Sequence, residues 1–396
     1  MVTRRQLLEA AARLGPGTAA LGLAPLAWPG SPPQDWAASA PRARYYVSGP
    51  GAGGNCLQCH TPTETLADGY RHRPGAVKCL LCAQRCTILP GAHGRCRARA
   101  NVDGELRSLV YGRPLSIGID PIEKKPFYHF LPGSDAFSFG TSGCPLRCRF
   151  CQNWELSQSS PGDFRVAYTA PADLAQAAAS RRSPIIAFTY NEPTVFAEYV
   201  LDVAVEARRR NIRCVMVSCG LMNEAPLKDF CAALSAIKID LKGYSEWFYR
   251  DVCGAELQAV LRSIRQVAAS GVHLELVNLV VPTLNDSDRA LRDLVSFVAR
   301  DLGPDVPLHF TRFHPDYQLL HLPPTPVTTL ERAREAAMAA GLRYVYVGNV
   351  PGHPGNHTYC PGCRKVVIRR EGYFVTENHL RNGRCEYCQA VVKGVW

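Results

Sequence analysis

Between Ala136 and residue 350, short apolar runs alternate with longer stretches in which apolar residues recur every three or four positions. The runs are "AFSFG", "PIIAFTY", "IRCVMVS", "AIKIDLK", "HLELVNLVV", "PLHFTRF" and "RYVYVG". They are too short for stable helices and rich in β-branched and aromatic residues, so they predict strands. The stretches "TVFAEYVLDVAVEARRR", "AELQAVLRSIRQVAASG" and "DRALRDLVSFVAR" predict helices, and Thr328 and Glu331 have the spacing of a capping box at the start of one more. Such alternation implies βαβ units and a parallel sheet. Six repeats fall short of a closed eightfold barrel, which typically needs about 250 residues. A partial barrel and an open doubly wound sheet both fit.

The flanks read differently. Residues 1–30 place Arg4–Arg5 ahead of an Ala/Leu/Gly-rich segment, which resembles a twin-arginine export signal; a short N-terminal helix is the alternative. Residues 31–75 form a Pro/Gly-rich linker, residues 76–135 a cysteine-rich N-terminal module and residues 351–396 a second small cysteine-rich module. The expected α/β core is 136–350. Hydrophobic residues make up 46% of the 396, enough for a sizeable core, and no apolar run is long and clean enough to predict a transmembrane segment. The net charge of +11 comes from the flanks, scattered as single residues. Nucleic-acid binding would need a continuous basic stripe with interleaved aromatics, and it is not expected.

The 17 cysteines are grouped. Cys144, Cys148 and Cys151 are spaced C-x3-C-x2-C, three thiols where a tetrahedral zinc site or a closed cluster takes four. Cys360-x2-Cys363-x21-Cys385-x2-Cys388 resembles a zinc ribbon. Cys79, Cys82, Cys86 and Cys96 form another four-thiol set, for which zinc is the first expectation and an auxiliary iron–sulfur cluster the second. Disulfides are the alternative for both sets outside the cytoplasm. Cys56, Cys59 and His60, in "CLQCH", match the haem c attachment pattern, though a motif so short also arises by chance. Cys214, Cys219, Cys231 and Cys253 lie in apolar surroundings and read as core thiols.

The three-thiol loop follows the first strand of the series, and later strands end in "FTYNEPT", "VSCGLMN", "KIDLKG" and "RFHPDY". Loops at the C-terminal ends of parallel strands are where sites are built. C-x3-C-x-aromatic-C, with Phe150 as the aromatic, resembles the signature of radical S-adenosylmethionine (SAM) enzymes. The chain is similar to activating enzymes of the pyruvate formate-lyase type. It is closer still to the radical SAM component of the AmmeMemoRadiSam system, through "CLLCAQRCTILPGAHGRCRARANVDGELRSLVYGRP", "DPIEKKPFYHFLPG", "FCQNWELSQ", "FTYNEPT" and "YVYVGNVPG…YCPGC…GVW".

That resemblance implies a partial (β/α)6 TIM-like barrel with small metal-binding modules at both ends. It implies a [4Fe–4S] cluster whose free iron chelates SAM, and reductive cleavage of SAM to a deoxyadenosyl radical that abstracts hydrogen from a substrate. Glu192, with Tyr190, Asn191 and Pro193, resembles the G-G-E-P segment that holds the SAM amino group, with both glycines replaced. Ser218, Asp240, Lys242 and His314 resemble positions that contact the SAM ribose and carboxylate. Cys219 stands where activating enzymes usually carry Asn, and Asn278 on the fifth strand leaves their arginine unmatched. Implied partners are an electron donor such as ferredoxin or flavodoxin and AMMECR-like and Memo-like proteins; the substrate, protein or peptide among the options, is not implied. The competing expectation is an exported haem and iron–sulfur electron carrier, which has no need for Glu192, Asp240 or Lys242. Export to the periplasm or cell envelope follows from the N-terminus, and a cytoplasmic location from where SAM is made.

Overall fold

The computed structural model describes residues 36–48 and 75–396. The Arg4–Arg5 segment and the CLQCH motif with Cys56, Cys59 and His60 lie outside the described residues. The centre is an eight-stranded sheet in sequence order: β1 Leu115–Pro121, β2 Asp135–Gly140, β3 Ile185–Phe188, β4 Arg213–Ser218, β5 Ala236–Asp240, β6 His273–Val280, β7 Leu308–Arg312 and β8 Val345–Gly348. From β2 to β8 all pairs are parallel, and only β1 runs antiparallel to its neighbour. Helices α1 Pro171–Ser180, α2 Ala197–Arg208, α3 Glu224–Ala233, α4 Leu257–Ser270, α5 Asp288–Phe297 and α6 Val327–Ala339 connect successive parallel strands. This is the expected partial (β/α)6 barrel with a closing strand. The sheet also reaches back to residue 115, before the expected start at 136.

The strands read as continuous apolar runs because both faces are covered; "IIAF" of β3 is buried throughout. On the convex face Phe137, Phe139, Phe188, Met216, Ile239 and Phe310 pack beneath the helices. In α4 the buried Leu257, Val260, Leu261, Ile264 and Val267 make one stripe, and Gly271, at φ 81°, ends the helix in the left-handed region. The concave face carries Ala136, Ile185, Ala187, Val215 and Ala236 against Ile122, Phe127 and Phe130 from the β1–β2 connection. That connection crosses the concave face, where the Tyr128 and His129 amides donate to Glu275. Burial alone would raise the Glu275 pKa, but hydrogen bonds from His273 and His309 hold it far below the usual carboxylate range.

The α6 start differs from expectation. The helix begins at Val327 after Pro326, so Thr328 is already its second residue and makes no capping bond, while Glu331 meets His353 Nε2 at 3.2 Å. Proline presets the entry angle, and the start falls two residues before the capping-box position.

The C-terminal segment forms antiparallel strands, Thr358–Tyr359, Val366–Glu371 and Phe374–Asn378. It packs on Tyr344, Tyr346 and Tyr128 beside the edge strand β8. The buried Arg370 lies 4.0 Å from the centre of the Tyr128 ring and donates to Thr358 Oγ1 and the Tyr128 carbonyl. N-terminal to the sheet, Val77, Leu81, Ile88, Ala98 and Leu106 join the barrel's own core.

Candidate functional site

The loop after β2 carries Cys144, Cys148 and Cys151, and the backbone at its entrance leaves no room for side chains. A Cβ on Gly140 would stand 2.6 Å from the Thr189 carbonyl, and one on Gly143, at φ 89°, would stand 2.2 Å from the Cys96 carbonyl. Asn191 braces this entrance: its Oδ1 accepts the Thr141 N–H at 3.1 Å, and its Nδ2 donates to Thr141 Oγ1 and the Gly143 carbonyl. The Arg147 and Arg149 amides donate to the carbonyls of Cys253 and Val252.

The three thiols sit in unequal fields. Burial, then Glu192 and Cys148, push Cys144 well above its usual range. A hydrogen bond with Cys253 pulls Cys148 down against burial, helped by Lys242. Burial and Cys148 raise Cys151. The backbone at Leu146 and Asn153 pulls the other way, favouring the thiolates of Cys144 and Cys151.

Glu192, 2% exposed, is a hub between two strand ends. Its Oε1 accepts from Thr194 N, Thr194 Oγ1 and Ser218 Oγ at 3.1, 2.5 and 2.8 Å, and its Oε2 accepts from Cys219 N at 2.6 Å. Tyr190 adopts a left-handed φ of 73°. Its hydroxyl donates to Asp120 at 3.2 Å, and Lys125 stands 4.6 Å over its ring.

Asp240 closes β5 and pairs with Lys238 and, at 3.3 Å, with Lys242. Burial opposes both charges, yet the lysines hold Asp240 below its usual pKa, and Asp240 with the thiols Cys148, Cys253 and Cys219 holds Lys242 well above its own. Lys242 Nζ lies 5.7 Å from the Phe150 ring, which stacks on Phe248. Asn278 donates to the Leu241 carbonyl at 2.7 Å, and its buried Oδ1 is left without a partner.

The structure thus gathers Glu192 with Ser218, and Asp240 and Lys242 with Phe150 and Cys148. Tyr190 and Asn191 shape the adjoining loop. His314 follows β7 and is exposed, with its Nδ1 2.9 Å from the Pro315 carbonyl. Cys219 and Cys253 are buried in the core, as read from sequence, and also border this site: the Cys219 amide donates to Glu192, and Cys253 lies in the field of Cys148. Cys219 follows Ser218 at a strand end, which was a usable signal. Cys253 had none.

Elsewhere, Cys360, Cys363, Cys385 and Cys388 bring their sulfurs within 4.8 Å of one another. Cys360–Cys388 and Cys363–Cys385 are 3.5 and 3.8 Å apart. A tetrahedral ion with metal–sulfur bonds of about 2.3 Å spaces its ligands about 3.8 Å apart, so this set fits one such ion. Cys79, Cys82, Cys86 and Cys96 line a single small cavity.

A partial α/β barrel with a three-thiol loop after its first parallel strand, faced by a buried glutamate and an Asp–Lys pair at the next strand ends, is the frame of a cluster-dependent SAM enzyme. The radical SAM superfamily model matches residues 139–295, so the chain contains a radical SAM domain. It is 41% identical over 314 residues to an uncharacterized protein of Methanocaldococcus jannaschii, covering 79% of this chain and 93% of that one. It is 24% identical over 109 residues to the isethionate sulfite-lyase activating enzyme of Desulfovibrio desulfuricans, covering 27% and 35%. Among solved structures, Streptococcus suis SuiB bound to precursor peptide SuiA is similar with a TM-score of 0.45 and 12% identity, over 58% of this chain and 51% of that one. The superfamily implies a [4Fe–4S] cluster and SAM. The donor set fits both: three thiols on one braced loop, charged groups beside it, and an open acceptor on Asn278. Among the described residues no helix is long and apolar enough to cross a membrane.

Proposed function

We propose that the protein is an activating-enzyme-like radical SAM enzyme that cleaves SAM reductively and draws hydrogen from a substrate. Cys144, Cys148 and Cys151 would hold three irons of the cluster; Glu192, Ser218, Asp240 and Lys242 would bind and orient SAM. When bound, the cluster and SAM supply the electron transfer and bond cleavage. The chain's own residues do the rest. Asn191 and the two glycines fix the loop, Glu192 joins the β3 and β4 ends into one wall, and Lys242 offsets the negative charge of thiolates that burial disfavours. The polar contacts are positioning groups.

The observation that carries this reading is the placement of three thiols at the C-terminal mouth of the barrel, with Cys148 in the field of Lys242 and Cys144 in that of Glu192. The AmmeMemoRadiSam subtype, with AMMECR-like and Memo-like partners and a ferredoxin or flavodoxin as donor, is the finer proposal; it rests on the motifs of residues 76–396. Zinc in the Cys360–Cys388 set belongs to the same proposal and is supported by its tetrahedral spacing.

The test is anaerobic incubation of reduced, reconstituted protein with SAM. Deoxyadenosine should form, and SAM should change the cluster's electron paramagnetic resonance signal. Cys148→Ala should lose about four irons per chain and both responses. A wild-type cluster that neither senses nor cleaves SAM would overturn the enzyme reading in favour of the electron carrier.

A further inference from the structure

Cys79, Cys82, Cys86 and Cys96 share one almost apolar cavity with Arg99, Ile88, Pro145, Thr194 and Val195. The Arg95 amide donates to Cys86 Sγ at 3.4 Å. The backbone at Leu81, Gln84 and Ala98 favours the thiolates of Cys79, Cys82 and Cys96 against burial. Neutral thiols in an apolar cavity have little use for such donors, whereas metal-bound thiolates do.

Arg99 is the second observation. It is 1% exposed, and its Nη2 pairs with Glu198 Oε2 at 2.5 Å. Its Nε and Nη1 are buried without partners, although it lines the thiol cavity and lies in the field of Cys79 and Cys96. A buried guanidinium donor with nothing to bond is costly, roughly 1–3 kcal/mol or more for a charged group. Cluster sulfur is an acceptor that would satisfy these donors.

Spacing chooses between zinc and a cluster. A single ion draws all its sulfurs together, as in the Cys360–Cys388 set. Among the described residues no other three such ligand atoms lie within 4.8 Å of one another. A cubane holds each thiolate on a separate iron and seats them farther apart. We infer that Cys79, Cys82, Cys86 and Cys96 ligate a second [4Fe–4S] cluster, closed to SAM because all four irons carry thiolates, with Arg99 donating to its sulfur. Of the two expectations for this set, zinc and an auxiliary cluster, the inference takes the second.

The site adjoins the three-thiol loop. Gln84, between Cys82 and Cys86, donates to the carbonyls of Pro145 and Gly254, and Arg147 Nη2 donates to the Arg95 carbonyl. The inference does not rest on the SAM-binding reading, and one variant separates the two. Cys144→Ala/Cys148→Ala/Cys151→Ala leaves all four ligands in place. After anaerobic reconstitution it should hold about four irons per chain and about one zinc, and its reduced signal should ignore SAM. Two zincs and no iron, two irons, or four freely alkylated thiols at this set would each overturn the inference. Cys79→Ala/Cys96→Ala in the otherwise unchanged chain should lose half the iron yet keep a SAM-sensitive signal; full iron content there would also overturn it. Arg99→Lys in the triple variant should lower the remaining cluster's reduction potential, because hydrogen bonds to cluster sulfur raise it.

Discussion

The Glu192 carboxylate joins two strand ends through four donors, so its removal should be felt in the fold before it is felt in the chemistry. Glu192→Ala leaves the amides of Thr194 and Cys219 buried and unpaired, at roughly 1–3 kcal/mol each. The hydroxyls of Thr194 and Ser218 can turn elsewhere, and the lost side chain leaves a small cavity. The two amides together come to about 2–6 kcal/mol, a large share of the roughly 5–15 kcal/mol that holds a domain together. Glu192→Gln keeps the volume and one accepting oxygen for the Thr194 and Ser218 donors, but turns an amide NH2 toward the Cys219 N–H. It should cost about 1–3 kcal/mol. The assay is anaerobic urea denaturation of metal-loaded protein, followed by SAM binding in the Gln variant. A Glu192/Ser218 double-mutant cycle should show coupling above about 0.5 kcal/mol, as expected of groups in direct contact. If Glu192→Ala unfolds within about 0.5 kcal/mol of wild type, the hub is not there, and Glu192 serves the cofactor alone.

Much of the barrel was legible because buried parallel strands announce themselves as unbroken apolar runs. β1 was not. "LSIGIDP" is an edge strand that alternates Leu115, Ile117 and Ile119 with Ser116, Gly118 and Asp120, and with Ile117 and Ile119 exposed it lacks the unbroken apolar run of the buried strands. The grouping of the thiols was legible from spacing: Cys360, Cys363, Cys385 and Cys388 converge, and Cys79, Cys82, Cys86 and Cys96 line one cavity. What spacing could not say was how far apart the sulfurs would sit. Arg99 looked like one more basic residue in "RCRARANV"; only the fold brings Glu198 to it. Glu275 and His309 interrupt apolar strands in ways that read as solvent-facing alternation, yet they meet on the concave face behind Tyr128. Cys253 reaches Cys148 because the 248–253 segment lies along the three-thiol loop, a register set by tertiary packing.

Cys385→Ser should remove about one zinc per chain and lower stability while leaving iron content intact, because metal binding is folding free energy in so small a module; unchanged zinc by elemental analysis would discard the ribbon. His129 gives a pH signature. Burial drops its pKa from 6.5 to about 3, despite nearby Glu275 and with His273 and Arg370 adding to the drop. The unfolded chain therefore takes up the proton first, and stability is lost as pH falls from about 6.5 toward 3, by up to about 1.4 kcal/mol per unit. His129→Gln should flatten that part of the profile; parallel denaturation midpoints at pH 7 and pH 5 in both proteins would refute it. Tyr190 offers the sharpest backbone test. Its φ of 73° is a conformation that suits glycine, the residue type found in the segment it resembles, and a side chain there costs about 1 kcal/mol. Tyr190→Ala and Tyr190→Gly both lose the bond to Asp120 and the ring beneath Lys125, so those losses cancel in the comparison. Only the backbone term remains, and it favours glycine in the folded state while glycine's freedom favours the unfolded one. Substituting glycine for tyrosine should therefore leave the protein more stable than substituting alanine, by at most about 1 kcal/mol. An alanine variant as stable as the glycine one would mean that the loop relaxes, and that the left-handed turn does not hold Glu192 in place.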